Sequence, residues 1–306
     1  MSRYRPALLL PALLLISVLA GCQQQGAPAV APSPRYVVGA PYQAGGVWRY
    51  PREQFTTTDT GLASVTTRGP GLTADGEAFD PTALAASHRT LQLPALARVT
   101  NLETGLAVLV RLNDRGPDSP ARLIAVTPRT AALLGATGDA PFRVRVQVME
   151  TESRQLAGGM ATAAPLQVAA APRDTVQQES LAPPAGATQA GRVRIAAAGP
   201  AVAAAAPGAE PAAVPLRLPE QVWRSPPAPG ALYVECGSFA RPQYAALMQA
   251  RLAGLGARVS ADANAPRDAA WRVRVGPLPD TAAAERALDQ ALRAGVSDAR
   301  IVVDDR

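Results

Sequence analysis

Hydrophobic and polar residues alternate in two separate stretches of this chain, and each stretch predicts a folded unit. In the first, Ala97-Arg98-Val99-Thr100-Asn101-Leu102 alternates, Glu103-Thr104-Gly105 supplies a turn, and Ala107 to Leu112 runs on as a buried strand. Phe142, Val144, Val146 and Val148 alternate with Arg143, Arg145 and Gln147, which predicts a strand with one buried face. Between these strands Thr127-Pro128 reads as an N-cap followed by proline at the first helical position. Ala131 and Leu134 give a short apolar face, and Gly135 ends it. Many short strands around one small helix predict a mainly β unit closed into a barrel of roughly 100 residues.

The second stretch mixes both periods. Tyr233 to Phe239 reads as a strand, and Tyr244, Leu247, Met248, Leu252 and Leu255 follow at helical spacing up to Gly256. Ala257-Arg258-Val259 is a further short strand, and Trp271 to Val275 alternates strictly before Gly276-Pro277. Asp280 or Thr281 caps a helix with Ala284, Ala287, Leu288, Ala291 and Leu292 inward and Gly295 at its end, and Arg300 to Val303 is the last strand. The order βαββαβ predicts an α+β, ferredoxin-like fold.

The pattern fails in the remaining segments. Arg3 and Arg5 precede an apolar run from Ala7 to Leu19, too short to span a membrane comfortably and flanked like an export signal. Leu19-Ala20-Gly21-Cys22 matches the bacterial lipobox, so residues 1–21 read as a lipoprotein signal peptide and Cys22 as the lipidated first residue of the mature chain. Several acyl chains on one cysteine hold a protein at a membrane far more firmly than one. Gln23 follows where an Asp would direct retention at the inner membrane, so resemblance to the sorting rule implies the outer membrane. Residues 22–34 are a short tether and residues 35–150 the first folded domain. Residues 151–230 are rich in Ala, Pro and Gly, with too little apolar surface to offset ordering entropy, and are expected to be a disordered linker. The second domain occupies 231–306.

Composition narrows the chemistry. Cys236 is the only cysteine besides Cys22, which leaves a lipidated chain no internal disulfide and no cysteine-based zinc site. His88 is the only histidine, so neither a metal nor another cofactor is expected. The net charge is +6, carried by arginine alone. Export removes nucleic acid as a partner and leaves the anionic cell envelope.

The motifs Tyr36 to Tyr42 with Gly46, Trp48, Tyr50 and Pro51, Thr60-Gly61-Leu62-Ala63-Ser64, Thr73-Ala74-Asp75-Gly76-Glu77-Ala78-Phe79-Asp80 and Ala85 to Leu91 occur in that order. Arg98-Val99-Thr100-Asn101-Leu102 and Arg111-Leu112-Asn113-Asp114-Arg115-Gly116-Pro117 complete the series. Together they resemble the rare lipoprotein A family of septal lytic transglycosylases. Leu232 to Phe239 and Trp271 to Leu278 resemble a SPOR domain. The resemblance implies an N-terminal double-psi β-barrel and a C-terminal SPOR domain that binds glycan strands stripped of stem peptides, at division septa. It also implies a monomer facing the periplasm.

Lytic transglycosylation needs a carboxylic acid to protonate the leaving oxygen and a base to take the proton of the C6 hydroxyl, and one carboxyl group can do both in turn. The resemblance puts Asp114, Glu77 and His88 at the site. Asp114 is expected as acid and then base, Glu77 as a polarising group or stabiliser of the oxocarbenium-like state, and His88 as a group that orients a carboxylate or bonds the sugar. Each has a plainer reading: Asp114 as a turn cap, Glu77 as a solvated residue, His88 as a structural one. Arg115 either pairs with a carboxylate or contacts the glycan. In the second domain Val234, Cys236, Val273 and Val275 should pack under the helices, leaving Glu235, Ser238, Phe239, Arg272 and Arg274 for glycan. Two departures favour a non-catalytic wall-binding protein instead. Val65-Thr66-Thr67-Arg68-Gly69 stands where the family has the aromatic Trp-Tyr-Gly, and Ile124-Ala125-Val126-Thr127 where it has Ile-Asp-Leu-Ser.

Overall fold

A computed structural model describes residues 31–160, 217–261 and 270–305. The signal segment, Cys22 and most of the expected linker lie outside the described residues.

A hairpin, β1 (Tyr42–Ala44) and β2 (Val47–Arg49), precedes the barrel. The barrel strands are β3 (Thr58–Val65), β4 (Ala85–His88), β5 (Ala95–Asn101), β6 (Leu106–Asp114), β7 (Ile124–Val126) and β8 (Phe142–Val148). They run in the order β4-β7-β3-β8-β5-β6, and β6 pairs back onto β4 to close the sheet. The β3–β7 and β4–β6 pairings are parallel and the rest antiparallel. The expected alternation is visible in the core: Ala97, Val99, Val108, Val110, Val144 and Val146 point inward, and closure gives them a common interior. Helix α1 (Pro128–Leu133) begins where expected, with Thr127 Oγ1 accepting from Thr130 N, and the chain leaves it through Gly135 at φ +69°.

Two stretches assigned to the linker are ordered on the barrel. Helix α2 (Glu150–Gly159) packs on β5: Ser153 Oγ accepts from Leu96 N at 3.0 Å and donates to Leu96 O at 3.1 Å, and Leu156 is buried. Strand β9 (Val222–Arg224) adds to β6, and the Arg98 guanidinium lies 5.1 Å from the Trp223 ring centre. The composition argument underrated these ends because few contacts suffice when the barrel already supplies a strand edge and an apolar face.

The second domain comprises β10 (Ala231–Phe239), α3 (Pro242–Arg251), β11 (Arg258–Ala261), β12 (Trp271–Leu278), α4 (Thr281–Arg293) and β13 (Arg300–Asp304). Its sheet runs β11-β12-β10-β13, the antiparallel order of a ferredoxin-like fold. Asp280 caps α4, whose Ala284, Ala287, Leu288 and Ala291 are buried as expected. Helix α3 departs from expectation. Tyr244 and Leu247 are exposed and Ala245 is buried in their stead, while Leu252 is buried and Met248 and Leu255 pack against the core as expected.

The two domains also touch, where the sequence predicts bodies separated by a leash. Thr60 Oγ1 donates to Val303 O at 2.6 Å and accepts from Val303 N at 3.1 Å, and Leu62 and Leu102 of the barrel are buried against the second domain's core. Each such leucine contributes about 1.5–3 kcal/mol to holding the pair together. Gly61 permits the approach, since a Cβ there would lie 2.9 Å from Leu123 Cβ and 3.2 Å from Ile301 O.

Candidate active site and its relatives

The ends of β4, β6 and β7 converge at one mouth of the barrel, and residues 66–80 fold over it. Asp114, the last residue of β6, holds this loop. Its Oδ1 accepts from Ala74 N and Arg115 N, each at 2.9 Å, and its Oδ2 is paired with Arg68 Nη1. Arg68 also donates to Leu72 O, so one exposed arginine clips the loop to the carboxylate. Asp114 thus holds its own turn, through Arg115 N, as well as the loop above it.

Glu77 is buried 6 % exposed, and its carboxylate is fully used: Arg111 Nε donates to Oε1 at 2.6 Å and Asn113 Nδ2 to Oε2 at 2.8 Å. The solvated reading of Glu77 is therefore incorrect; the Arg111 guanidinium draws it inward. The two carboxylates line separate, adjoining cavities that share three wall residues. Phe79, Ala85 and Asn113 line both the cavity of about 260 Å³ beside Glu77 and the small cleft at Asp114.

Between them lies a group the sequence reading passed over. Asp75 is completely buried, accepting from Thr73 Oγ1 at 2.6 Å and Glu77 N at 3.1 Å on Oδ1, while Oδ2 has no partner. Burial, with Glu77 adding its charge, raises its carboxyl to about 7. The entering chain is stitched to the same loop, Ser33 N to Gly76 O and Arg35 N to Asp75 O, both at 2.9 Å. Gly76 has φ +89°, and a Cβ there would lie 2.4 Å from Ser33 O. Arg68, Arg111 and Asn113 were also missed as site residues. Arg111 and Asn113 flank Asp114 in its motif, and Arg68 falls in the segment that departs from the family's aromatic pattern.

His88 is buried but lines neither of these cavities; it lines a larger cleft facing the second domain. Its Nδ1 accepts from Thr90 N at 3.2 Å and Leu91 N at 3.1 Å, which leaves the proton on Nε2. Burial first, then Arg89 and Arg115, lower the imidazole to about 3. Arg115 spends its guanidinium on the carbonyls of Val38, His88 and Leu91, settling it as a clasp between the site and the N-terminal segment rather than a side-chain ion pair.

In the second domain Val234, Cys236, Val273 and Val275 are buried under the helices. Burial raises the Cys236 thiol to about 11, consistent with a core role. Glu235 is not on an open rim: it is buried and paired with Arg300 at 2.7 Å and Arg274 at 3.5 Å. Ser238 is exposed, while Phe239 packs partly against the core. Arg272 and Arg274 line a polar cleft of about 640 Å³ shared with Thr58, Thr60 and Arg145 of the barrel. Among the described residues, no group of three or more His, Cys, Asp or Glu side chains is placed to hold a metal ion.

Residues 58–146 match the family model described as lytic transglycolase, and residues 228–301 match the SPOR domain model. The chain is 35% identical over 237 residues to the endolytic peptidoglycan transglycosylase RlpA of Pseudomonas aeruginosa PAO1, covering 76% of this chain and 66% of that protein. It is 40% identical over 106 residues to the Escherichia coli K12 protein of the same name, covering 34% of this chain and 29% of that one. A probable endolytic peptidoglycan transglycosylase RlpA of Nostoc is 42% identical over 93 residues, 29% of this chain and 25% of that one. The chain thus spans about two thirds or less of the length of these relatives. With the closed barrel and the ferredoxin-like domain following in that order, the chain belongs to the rare lipoprotein A family.

Proposed function

We propose that the protein is a lytic transglycosylase that cleaves the β-1,4 bond after N-acetylmuramic acid and closes a 1,6-anhydro ring. The observation that carries this reading is the pair of carboxylates, Asp114 and Glu77, on adjoining cavities that share Phe79, Ala85 and Asn113. Asp114 protonates the departing glycosidic oxygen as the C1–O bond breaks. The C6 hydroxyl then bonds to C1 and returns a proton to Asp114, so no water is consumed. Glu77, fixed by Arg111 and Asn113, presents negative charge toward the oxocarbenium-like carbon without shuttling a proton. Arg68 occupies Oδ2 of Asp114, so glycan entry and Arg68 departure go together.

The finer biology follows from the sequence. Lipidation at Cys22 anchors the protein in the outer membrane facing the periplasm, and the SPOR domain brings a monomer to denuded septal glycan during division. The testing experiment incubates the purified full chain with denuded glycan strands and seeks anhydromuramyl products by mass spectrometry. Products from wild type and none from Asp114→Asn are expected; none from wild type overturns the reading. The second reading, a non-catalytic wall-binding lipoprotein, is favoured by the same Arg68 clip and by Ala125 where the family carries a carboxylate. Under it, glycan binds without turnover.

A further inference from the structure

A polar cleft of about 710 Å³ lies between the β1–β2 hairpin and the second domain. Its barrel wall carries Trp48 and Tyr50, which are 56% and 62% exposed, with Arg49 between them. Its other wall carries Ser238 and Phe239, two residues on which the sequence places glycan contacts. Exposed aromatic rings are costly to leave in water and offer flat faces to sugar rings.

Arg49 is the unusual member. Among the described residues it alone leaves two buried guanidinium nitrogens, Nε and Nη2, without a hydrogen-bond partner. His88, on the same cleft, adds a third unmatched buried nitrogen, Nε2, which carries the imidazole proton. Buried donors without partners cost about 1–3 kcal/mol each, so a folded protein seldom keeps several around one cavity unless a ligand completes them. The nearby acids do not fill the gap. Asp59 and Glu235 are engaged by Arg300 at 3.5 and 2.7 Å, and Asp298 lines the cleft without an ion pair to Arg49 within 4.0 Å. Two parallel N–H donors on a guanidinium match the two oxygens of a carboxylate.

We infer that this interdomain cleft binds a carboxylate-bearing saccharide, with Trp48 and Tyr50 against the sugar rings and Arg49 on the carboxylate. The inference rests on the proposed peptidoglycan reading and deepens it. A muramyl residue without its stem peptide exposes the free carboxylate of its lactyl ether; with the peptide attached, that group is a neutral amide. Arg49 therefore selects strands whose carboxylate sits on the lactyl ether itself, and the selection is made jointly by barrel and second domain.

The test titrates the full chain, by calorimetry, with GlcNAc–MurNAc oligosaccharides bearing free lactyl carboxylates and with the same oligosaccharides converted to methylamides. Wild type should bind the free acid at least ten-fold more tightly than the amide. Arg49→Gln should erase that ratio by weakening the acid form alone. Trp48→Ala should weaken both forms several-fold and keep the ratio. An unchanged preference in a folded Arg49→Gln, or no preference in wild type, overturns the inference. If wild type still releases anhydro products while showing no preference, the proposed function stands and only the carboxylate site falls; if it neither binds nor cleaves either form, both fall.

Discussion

Replacing Asp75 with Asn should stabilise the protein in alkaline solution and leave it nearly unchanged in acid. The carboxyl is wholly buried, two donors meet Oδ1, and Oδ2 meets none, so ionisation adds a charge that only Oδ1 can share. Its folded value is raised to about 7 from an ordinary 3.8. With the folded value above the unfolded one, the stability Asp75 contributes is complete below about pH 3.8 and declines as pH rises through about 7. A gap of about three units at about 1.4 kcal/mol each sets a ceiling of about 4 kcal/mol on the loss. Asn preserves the shape and the Oδ1 acceptor but cannot ionise. Comparing the mutant effect at two pH values cancels its pH-independent packing change. We expect the mutant to gain about 2–4 kcal/mol relative to wild type between pH 4 and pH 8.5. Thermal melts followed by circular dichroism across that range measure it. A difference between the two proteins that stays flat with pH would refute the reasoning.

Glu77→Ala should lower stability by about 3–5 kcal/mol in urea denaturation, because it strands the Arg111 guanidinium in the interior; an effect below about 1 kcal/mol would mean the pair is not structural. Arg68→Ala frees Asp114, and since the pair is partly exposed its stability cost should stay within about 1 kcal/mol. The same variant should release anhydro products several-fold faster, whereas a loss as deep as that of Asp114→Asn would make Arg68 a requirement rather than an obstacle. The single imidazole can be watched directly by NMR. His88 should remain the neutral Nε2–H form from pH 5 to 8, and a midpoint near 6.5 would contradict its burial.

Strand alternation and the Thr127-Pro128 cap were legible because local period and cap chemistry decide those elements before any distant contact forms. The same logic misled at α3, where Tyr244 and Leu247 fit the helical spacing yet face solvent. Spacing fixes a face, but only the sheet beneath decides which face it covers. Motif reading found Asp114 and Glu77 but not their partners, since Arg68 and Arg111 are 46 and 34 residues away from them and only barrel closure brings them near. Asp75 stands inside one of the motifs, but its significance is its burial, which no local pattern announces. The grouping of His88 with the carboxylates followed motif order; the structure turns it toward the other cleft.

The stitching of residues 33 and 35 to the loop that bears Glu77 fixes a working radius. If Cys22 is acylated as proposed, 11 peptide steps lie between the anchor and Ser33, a contour of about 36–40 Å at full stretch. Because the last stitch is made on the loop that bears Glu77, no further slack intervenes between Ser33 and the mouth of the barrel. On the proposed function and anchoring, the barrel would graze only the layer of wall within that distance of the membrane, and inserting residues ahead of Ser33 would deepen the layer it can reach.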